Sequence, residues 1–233
     1  MTVAAIVPAA GRGTRLGPGA AKALRELGGV PMLVYAVTAL AEARLVDQVI
    51  VAAPPGDVGG VSALLSGSGP PDVLVVAGGA TRQESVALAL TALNADSDVV
   101  LVHDAARPLA PSELADRVAA AVQAGAPAVV PALPVSDTVK RVDGTGTVTE
   151  TLDRAALWAV QTPQGFSREV LAEAHAAGRH WGIGATDDAA LVERLGRPVR
   201  VVLGSEEAFK VTRPLDLVFA EAVLQRRRVG RVG

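Results

Sequence analysis

The residues with the clearest chemical potential are basic and lie in one loop. After the apolar run Val3–Val7 the chain reads Pro8-Ala9-Ala10-Gly11-Arg12-Gly13-Thr14-Arg15-Leu16-Gly17, and Lys22 follows. Glycines just beyond a strand let backbone N–H groups approach phosphates closely. Two arginines and a lysine in the same stretch add charge for several phosphate oxygens. Taken alone, the loop also reads as a tight strand-to-helix turn with solvated basic residues. Spacing removes two other nucleotide motifs. A dinucleotide fingerprint needs glycine where Leu16 stands and an acid at the end of the second strand, which here runs out as Ala52-Ala53-Pro54. A P-loop needs a Gly-Lys pair, and the chain has none. Asp104 is the other reactive candidate. It closes a run of Val and Leu, so it emerges at the end of a strand, where one carboxylate plus substrate phosphates suits Mg²⁺. The competing reading is a cap on the following turn. His103, His175 and His180 read as structural or surface residues, with no zinc spacing and no Ser-His-Asp arrangement.

The elements that must position these residues alternate regularly. Val3–Val7, Val49–Ala53, Val73–Ala77, Val99–His103 and Ala128–Leu133 are short apolar runs that read as strands covered on both faces. Pro31–Ala43, Arg82–Leu93 and Pro111–Ala124 read as helices between them, with a weaker one at Val58–Leu65. The fold class is therefore α/β, a doubly wound, mostly parallel Rossmann-like sheet whose ligands sit beyond the carboxyl ends of the strands. After Leu133 the pattern changes. Val135–Val142, the turn Asp143-Gly144-Thr145-Gly146 and Thr147–Leu152 read as a hairpin, too polar to stand alone, for which a second subunit is a candidate support. Helices at Ser167–Ala177 and Thr186–Leu195, a strand at Val199–Val202, a short Phe209–Thr212 run and a helix from Pro214 follow. Thr186-Asp187-Asp188 reads as a helix cap with acids in the first turn. Trp158 and Trp181 read as packing residues, and Arg226, Arg227, Arg228 and Arg231 as a solvated, disordered end.

Composition bounds the function classes. The 233 residues fit one domain, 50% hydrophobic but only 3% aromatic, so the core is built from Ala, Val and Leu. A net charge of −2 argues against a nucleic-acid or membrane-surface binder. The absence of cysteine removes disulfides, thiolate metal sites and a Cys nucleophile. With no basic leader before Pro8, the chain is expected in the cytoplasm.

The Gly-x-Gly-Thr-Arg loop with its later lysine resembles the nucleotidyltransferases that activate sugar phosphates. Further segments narrow the likeness: Gly78-Gly79-Ala80-Thr81-Arg82-Gln83-Glu84-Ser85, His103-Asp104-Ala105-Ala106-Arg107-Pro108, Asp137-Thr138-Val139-Lys140-Arg141, Gln161-Thr162-Pro163-Gln164, Thr186-Asp187-Asp188-Ala189 and Lys210-Val211-Thr212-Arg213-Pro214. In this order they resemble the 2-C-methyl-D-erythritol 4-phosphate cytidylyltransferase family of the non-mevalonate isoprenoid pathway, over nearly the whole chain. The resemblance implies transfer of CMP from CTP to a small polyol phosphate, with pyrophosphate released. It implies that Arg15 and Lys22 stabilise the transition state, that Arg154 and Lys210 position the substrate, and that Asp104 binds Mg²⁺. Ala9, Ala10, Gly11, Gly13, Gly79 and Ser85 would bind the nucleotide, and Arg107, Thr138, Arg154 and Lys210 the substrate phosphate. It implies a homodimer in which a β-arm at about 134–154, carrying Thr138 and Lys140, reaches the other subunit's site. Two positions depart from the family pattern: Ala21 replaces a usual proline and Ala80 a usual acid. A cytidylyltransferase for another polyol phosphate, such as ribitol 5-phosphate, and a non-catalytic nucleotide-binding module remain as alternatives.

Overall fold

The first apolar run forms strand β1 (Thr2–Pro8), whose five central residues are buried. Its side chains alternate between two cores: Val3, Ala5 and Val7 point into one layer, Ala4 and Ile6 into the other. The structure, a computed structural model, describes residues 1–11, 22–70, 72–181 and 185–230. A small two-stranded ribbon, β2 (Glu26–Leu27) and β3 (Val30–Pro31), leads into helix α1 (Met32–Ala41). There follow β4 (Gln48–Ala53), α2 (Val58–Ser68), β5 (Leu74–Ala77), α3 (Arg82–Leu90), β6 (Ser97–Val102), α4 (Ser112–Gln123) and β7 (Ala128–Pro134). Strands β6, β1, β4 and β5 pair in parallel, in that spatial order. Leu33, Val37, Val61, Leu65, Val118 and Val122 from α1, α2 and α4 fill one layer, and α3 packs on the other. Five strands and four helices thus fall where the apolar runs predict them. The exception concerns burial: β5 is an edge strand, and Leu74 is exposed.

Beyond β7 the sequence reading needs correction. The hairpin exists, but only as β8 (Lys140–Val142) and β9 (Val148–Thr151), every residue of which is exposed. Residues 135–139 are not strand. Asp143 organises the turn, its Oδ1 accepting from the backbone N–H groups of Thr145 and Thr147, and Gly146 takes the positive φ of +87°. Besides the short ribbon β2–β3, two strands escaped the sequence reading, β10 (Trp158–Val160) and β11 (Gln164–Ser167). Both run antiparallel along β7, and β11 fills the gap between β7 and β6. The sheet therefore stays mostly parallel with an antiparallel insertion. Helices α5 (Arg168–Gly178) and α6 (Asp188–Arg194) complete the second layer, and β12 (Arg200–Leu203) pairs with β7 in parallel.

Residues 209–212 form no strand. Val211 N–H instead donates to Ala106 O at 2.8 Å, tying this stretch to the loop after β6. The arginine-rich end is not a disordered tail as far as Gly230. It belongs to α7 (Pro214–Gly230), where Arg226 and Arg227 both pair with Glu207; Arg231 lies outside the described residues. Trp158 is also not a packing residue within this chain, being 43% exposed on β10. Trp181 is half-buried beneath the Arg194 guanidinium, 5.7 Å from the ring centre.

Helix α4 reaches the sheet closely because β11 presents Gly165. A Cβ there would lie 2.6 Å from Val118 Cγ1, 3.0 Å from Val122 Cγ2 and 3.2 Å from Leu101 Cδ2. Gly165→Ala is expected to lower unfolding free energy by about 1–3 kcal/mol through overpacking. Chemical denaturation checks this, and an unchanged midpoint would mean that α4 moves away at no cost.

Candidate active site

The carboxyl ends of β1, β4, β5 and β6 share one edge of the sheet, and each delivers a short loop there. Ala9 N–H donates to Ala52 O at 2.8 Å, and Gly78 N–H donates to Ala53 O at 2.7 Å, so the first and third of these loops both hang on β4. Gly78 fits because it has no side chain: a Cβ would meet Ala10 Cβ at 2.8 Å and Ser85 Oγ at 2.9 Å. The glycine pair then enters α3 through a capping box. Thr81 Oγ1 accepts from Glu84 N–H at 3.1 Å, while Glu84 Oε2 accepts from Thr81 N–H at 3.1 Å. Buried Ser85 locks the same turn, accepting from Gly79 N–H and donating to Thr81 O. This cap fixes Arg82 as the first residue of α3, facing the end of β6.

There Arg82 meets Asp104. Arg82 Nε donates to Asp104 Oδ1 at 3.2 Å, and Lys210 Nζ donates to Asp104 Oδ2 at 2.7 Å. Burial by itself would raise the Asp104 carboxyl, but Arg82 and Lys210 outweigh it and hold the group well below the usual carboxylate range. These three residues form a wall shared by two cavities. One, of about 180 Å³, is lined besides by Pro8, Ala9, Ala10, Gly11 and Ser85. The other, of about 170 Å³, is lined by Arg107, Gln161, Thr162, Gln164, Thr186 and Asp187.

The backbone of Asp104 is fixed by a hydrogen-bond chain with one consistent direction. Asp104 N–H donates to Thr162 Oγ1 at 3.0 Å, and that hydroxyl lies 3.0 Å from His103 Nδ1. His103 Nε2 lies 3.3 Å from Arg107 O, which can only accept. The ring proton therefore sits on Nε2, and Thr162 donates to Nδ1. Burial, with a smaller contribution from Arg107, pushes the His103 imidazolium down to about 4 despite the attraction of Asp104, so the ring is neutral near pH 7.

The nucleotide-binding candidates Ala9, Ala10, Gly11 and Ser85 converge on the first cavity; Gly79 does not line it, but its N–H donates to Ser85 Oγ. Arg107 and Lys210 line the second cavity together with Asp104. Arg107 is partly committed already, its two terminal nitrogens donating to Ala208 O at 2.6 Å and Val160 O at 3.1 Å. Thr138 and Arg154 are not brought there: both are exposed on the arm and line neither cavity, and Arg154 donates to Ser136 O at 2.6 Å. Lys140 likewise spends its ammonium on Thr151 Oγ1 across the hairpin. Arg15 and Gly13 lie outside the described residues, as does the side chain of Lys22, whose backbone opens a short 3₁₀ turn, Lys22–Leu24. Sequence reasoning missed Arg82. Its signal was present in the Thr81-x-x-Glu84 cap directly after a glycine pair at a strand end.

Among the described residues no group of three or more His, Asp or Glu side chains could hold a metal alone. Asp104 is ionised, with one oxygen hydrogen-bonded by Arg82 and the other by Lys210; a cation there would take the place of one of these contacts and draw its remaining ligands from substrate phosphates and water, as Mg²⁺ does.

Two cavities meeting at a cation-flanked carboxylate give room for two phosphate-bearing substrates side by side, as a nucleotidyltransferase needs, and the chain is of that class. The IspD family model, 2-C-methyl-D-erythritol 4-phosphate cytidylyltransferase, matches residues 3–226. The chain is 60% identical to the protein of that name from Frankia casuarinae, over 96% of this chain and 82% of the relative. It is 57% identical to the one from Streptomyces coelicolor, over 97% and 86%. The crystal structure of the Thermus thermophilus 2-C-methyl-D-erythritol 4-phosphate cytidylyltransferase superposes with a TM-score of 0.77 at 39% identity, covering 97% of this chain and all of that one. The 4-diphosphocytidyl-2C-methyl-D-erythritol synthase of Anaerococcus prevotii gives 0.84 at 30% identity, covering 96% of each chain. The chain belongs to the 2-C-methyl-D-erythritol 4-phosphate cytidylyltransferase family.

His103 gives the site a measurable pH signature. Its folded pKa of about 4 lies below the unfolded value of about 6.5, so the unfolded chain binds the extra proton between them. Its contribution is constant above about pH 6.5, and stability falls as pH drops from there toward 4, by up to about 3 kcal/mol. His103→Gln, which can keep one donor and one acceptor, is expected to flatten that decline in a series of thermal midpoints. An equally steep decline in the variant would assign the titration to another group.

Proposed function

We infer that the chain transfers CMP from CTP to 2-C-methyl-D-erythritol 4-phosphate, giving 4-diphosphocytidyl-2-C-methyl-D-erythritol and pyrophosphate, in isoprenoid precursor synthesis. Beyond family membership, the observation that carries this reading is the wall of Arg82, Asp104 and Lys210 between two cavities. A phosphate oxygen of the polyol substrate attacks the α-phosphorus of CTP, a new P–O bond forms, and the bond to the β-phosphate oxygen breaks. Such a reaction needs alignment and charge neutralisation more than covalent help.

In this reading CTP lies on the first cavity, with its cytosine held by the small residues Ala9 and Ala10 and by Gly79 and Ser85. Gly11 and Gly13 let the loop backbone approach the triphosphate, and Arg15 and Lys22 donate to α-phosphate oxygens as charge builds on them. Asp104 holds Mg²⁺, which supplies positive charge to the triphosphate oxygens. Arg107 and Lys210 face the polyol phosphate from the second cavity. Lys210 is the more available of the two, since its ammonium has only the Asp104 carboxylate to leave.

Thr138 and Arg154 stand exposed on the arm, away from both cavities, and an exposed two-stranded ribbon of this length is marginal by itself. Both facts support a homodimer in which the arm of one subunit completes the second cavity of the other. A cytoplasmic location is consistent with the absence, among the described residues, of any helix long and apolar enough to cross a membrane. The balanced charge leaves no case for a nucleic-acid partner.

Pyrophosphate release with Mg²⁺ tests the reading. It is expected with CTP and 2-C-methyl-D-erythritol 4-phosphate and not with UTP or ATP. Release with ribitol 5-phosphate instead would move the chain to another polyol, and silence from folded protein with every pair would favour a binding module. Arg154→Ala is expected to raise the KM for the polyol phosphate about 10- to 100-fold, the loss of one charge-assisted hydrogen bond, with the KM for CTP nearly unchanged. An unchanged polyol KM would remove the arm from the site.

A further inference from the structure

Asp188 is 1% exposed and lines neither cavity, yet it is connected to the reaction centre by a continuous line of charged contacts. Arg82 Nη1 pairs with Asp188 Oδ2 at 2.7 Å, while Arg82 Nε donates to Asp104 Oδ1. On its far side, Asp188 Oδ1 lies 2.9 Å from Nε2 of buried His175. Burial pushes the Asp188 carboxyl up, but Arg82 and His175 overcome this and keep it lowered. The carboxylate can only accept, so His175 carries its proton on Nε2. Helices α3, α5 and α6 each contribute one member: Arg82, His175 and Asp188.

Stability alone is a poor reason for this arrangement. Burying two opposite charges costs desolvation energy that their attraction offsets only in part, and apolar replacements are often no worse. Geometry offers a better reason. Asp104 has two cationic neighbours of different standing. Lys210 is 39% exposed and, among the described residues, pairs with no other carboxylate, so its side of Asp104 is open to exchange. Arg82 is held from behind by a second, buried carboxylate, and its side is fixed. When Lys210 turns to a substrate phosphate, Arg82 is the cation still hydrogen-bonded to the carboxylate.

We propose that Arg82, clamped by Asp188 and His175, is the positioning residue for Asp104, and that Asp188 thereby sets the affinity for the divalent cation from outside both cavities. The proposal rests on the reading that Asp104 holds that cation. Groups hydrogen-bonded behind a metal ligand commonly change metal affinity about 10- to 100-fold when removed.

The test measures CTP binding by calorimetry without the polyol phosphate, so that no turnover occurs. The dissociation constant is taken in Mg²⁺ and in EDTA, and the ratio of the two is the metal-dependent gain. Asp104→Asn is expected to abolish the gain. Asp188→Asn is expected to reduce it about tenfold with the metal-free constant unchanged, Arg82→Gln to reduce the ratio by a similar factor whatever it does to the metal-free constant, and the double variant to lose no more of the ratio than either alone, since both act along one line. The proposal is overturned if Asp104→Asn loses the gain while Asp188→Asn and Arg82→Gln keep it. It is overturned also if Asp188→Asn weakens CTP equally with and without metal, which is what a merely structural role would do. Should Asp104→Asn keep the gain, the metal assignment beneath the proposal falls first. Arg82→Gln alters a cavity-wall residue, so its ratio with and without metal, not its metal-free constant, carries the test if Asp188→Asn does not fold.

Discussion

A negative charge at a strand end, nearly enclosed by protein, is the constraint on which the rest of this structure depends. Asp104 is only 12% exposed, and an unpaired carboxylate there would either protonate or be driven out. Arg82 and Lys210 keep it ionised, and Thr162 holds its backbone. Each of these neighbours comes from a different part of the chain. Arg82 depends on the cap that starts α3, Thr162 on the break between β10 and β11, and Lys210 on the hydrogen bond from Val211 to Ala106. The antiparallel insertion thus serves more than closure of the sheet. It carries Gln161, Thr162 and Gln164 to the same edge that the parallel strands open.

Those polar residues are held by main chain, not left to solvent. Gln161 pairs in both directions with the backbone of Ser205, donating to its carbonyl and accepting from its N–H. Gln164 ties the start of α6 by donating to Asp187 and accepting from Ala189 N–H. The wall of the second cavity is therefore built from side chains whose own positions are set by neighbouring elements, a condition for aligning two phosphates. By contrast, every residue of β8 and β9 on the arm is exposed.

Much of this was legible in the sequence, for identifiable reasons. The parallel strands are runs of Val, Leu and Ala with no polar interruption, and Asp104 stands out because it ends one of them. Strands β10 and β11 were not legible, because Gln161-Thr162-Pro163-Gln164 breaks any period and Gly165 has little strand propensity. Their partner, β7, decides their conformation, which is a long-range fact. The arginine-rich end misled in the opposite sense: charge suggested solvent, but Glu207, about twenty residues earlier in the chain, pairs with Arg226 and Arg227. Arg82 was hidden for a similar reason. A basic residue opening a helix is unremarkable until the fold sets Asp104 on one side of it and Asp188 on the other.

The central claim is spatial: two substrates occupy two cavities, and their reacting phosphates face each other across Asp104 and Lys210. The most direct measurement is a crystal structure of the protein with Mg²⁺, 2-C-methyl-D-erythritol 4-phosphate and a CTP analogue whose α–β bridge resists cleavage. The claim predicts cytosine against Ala9, Ala10 and Ser85, the polyol against Thr162 and Thr186, and both phosphates at the shared wall. Both ligands in one cavity, or phosphates bound away from Asp104, would contradict it.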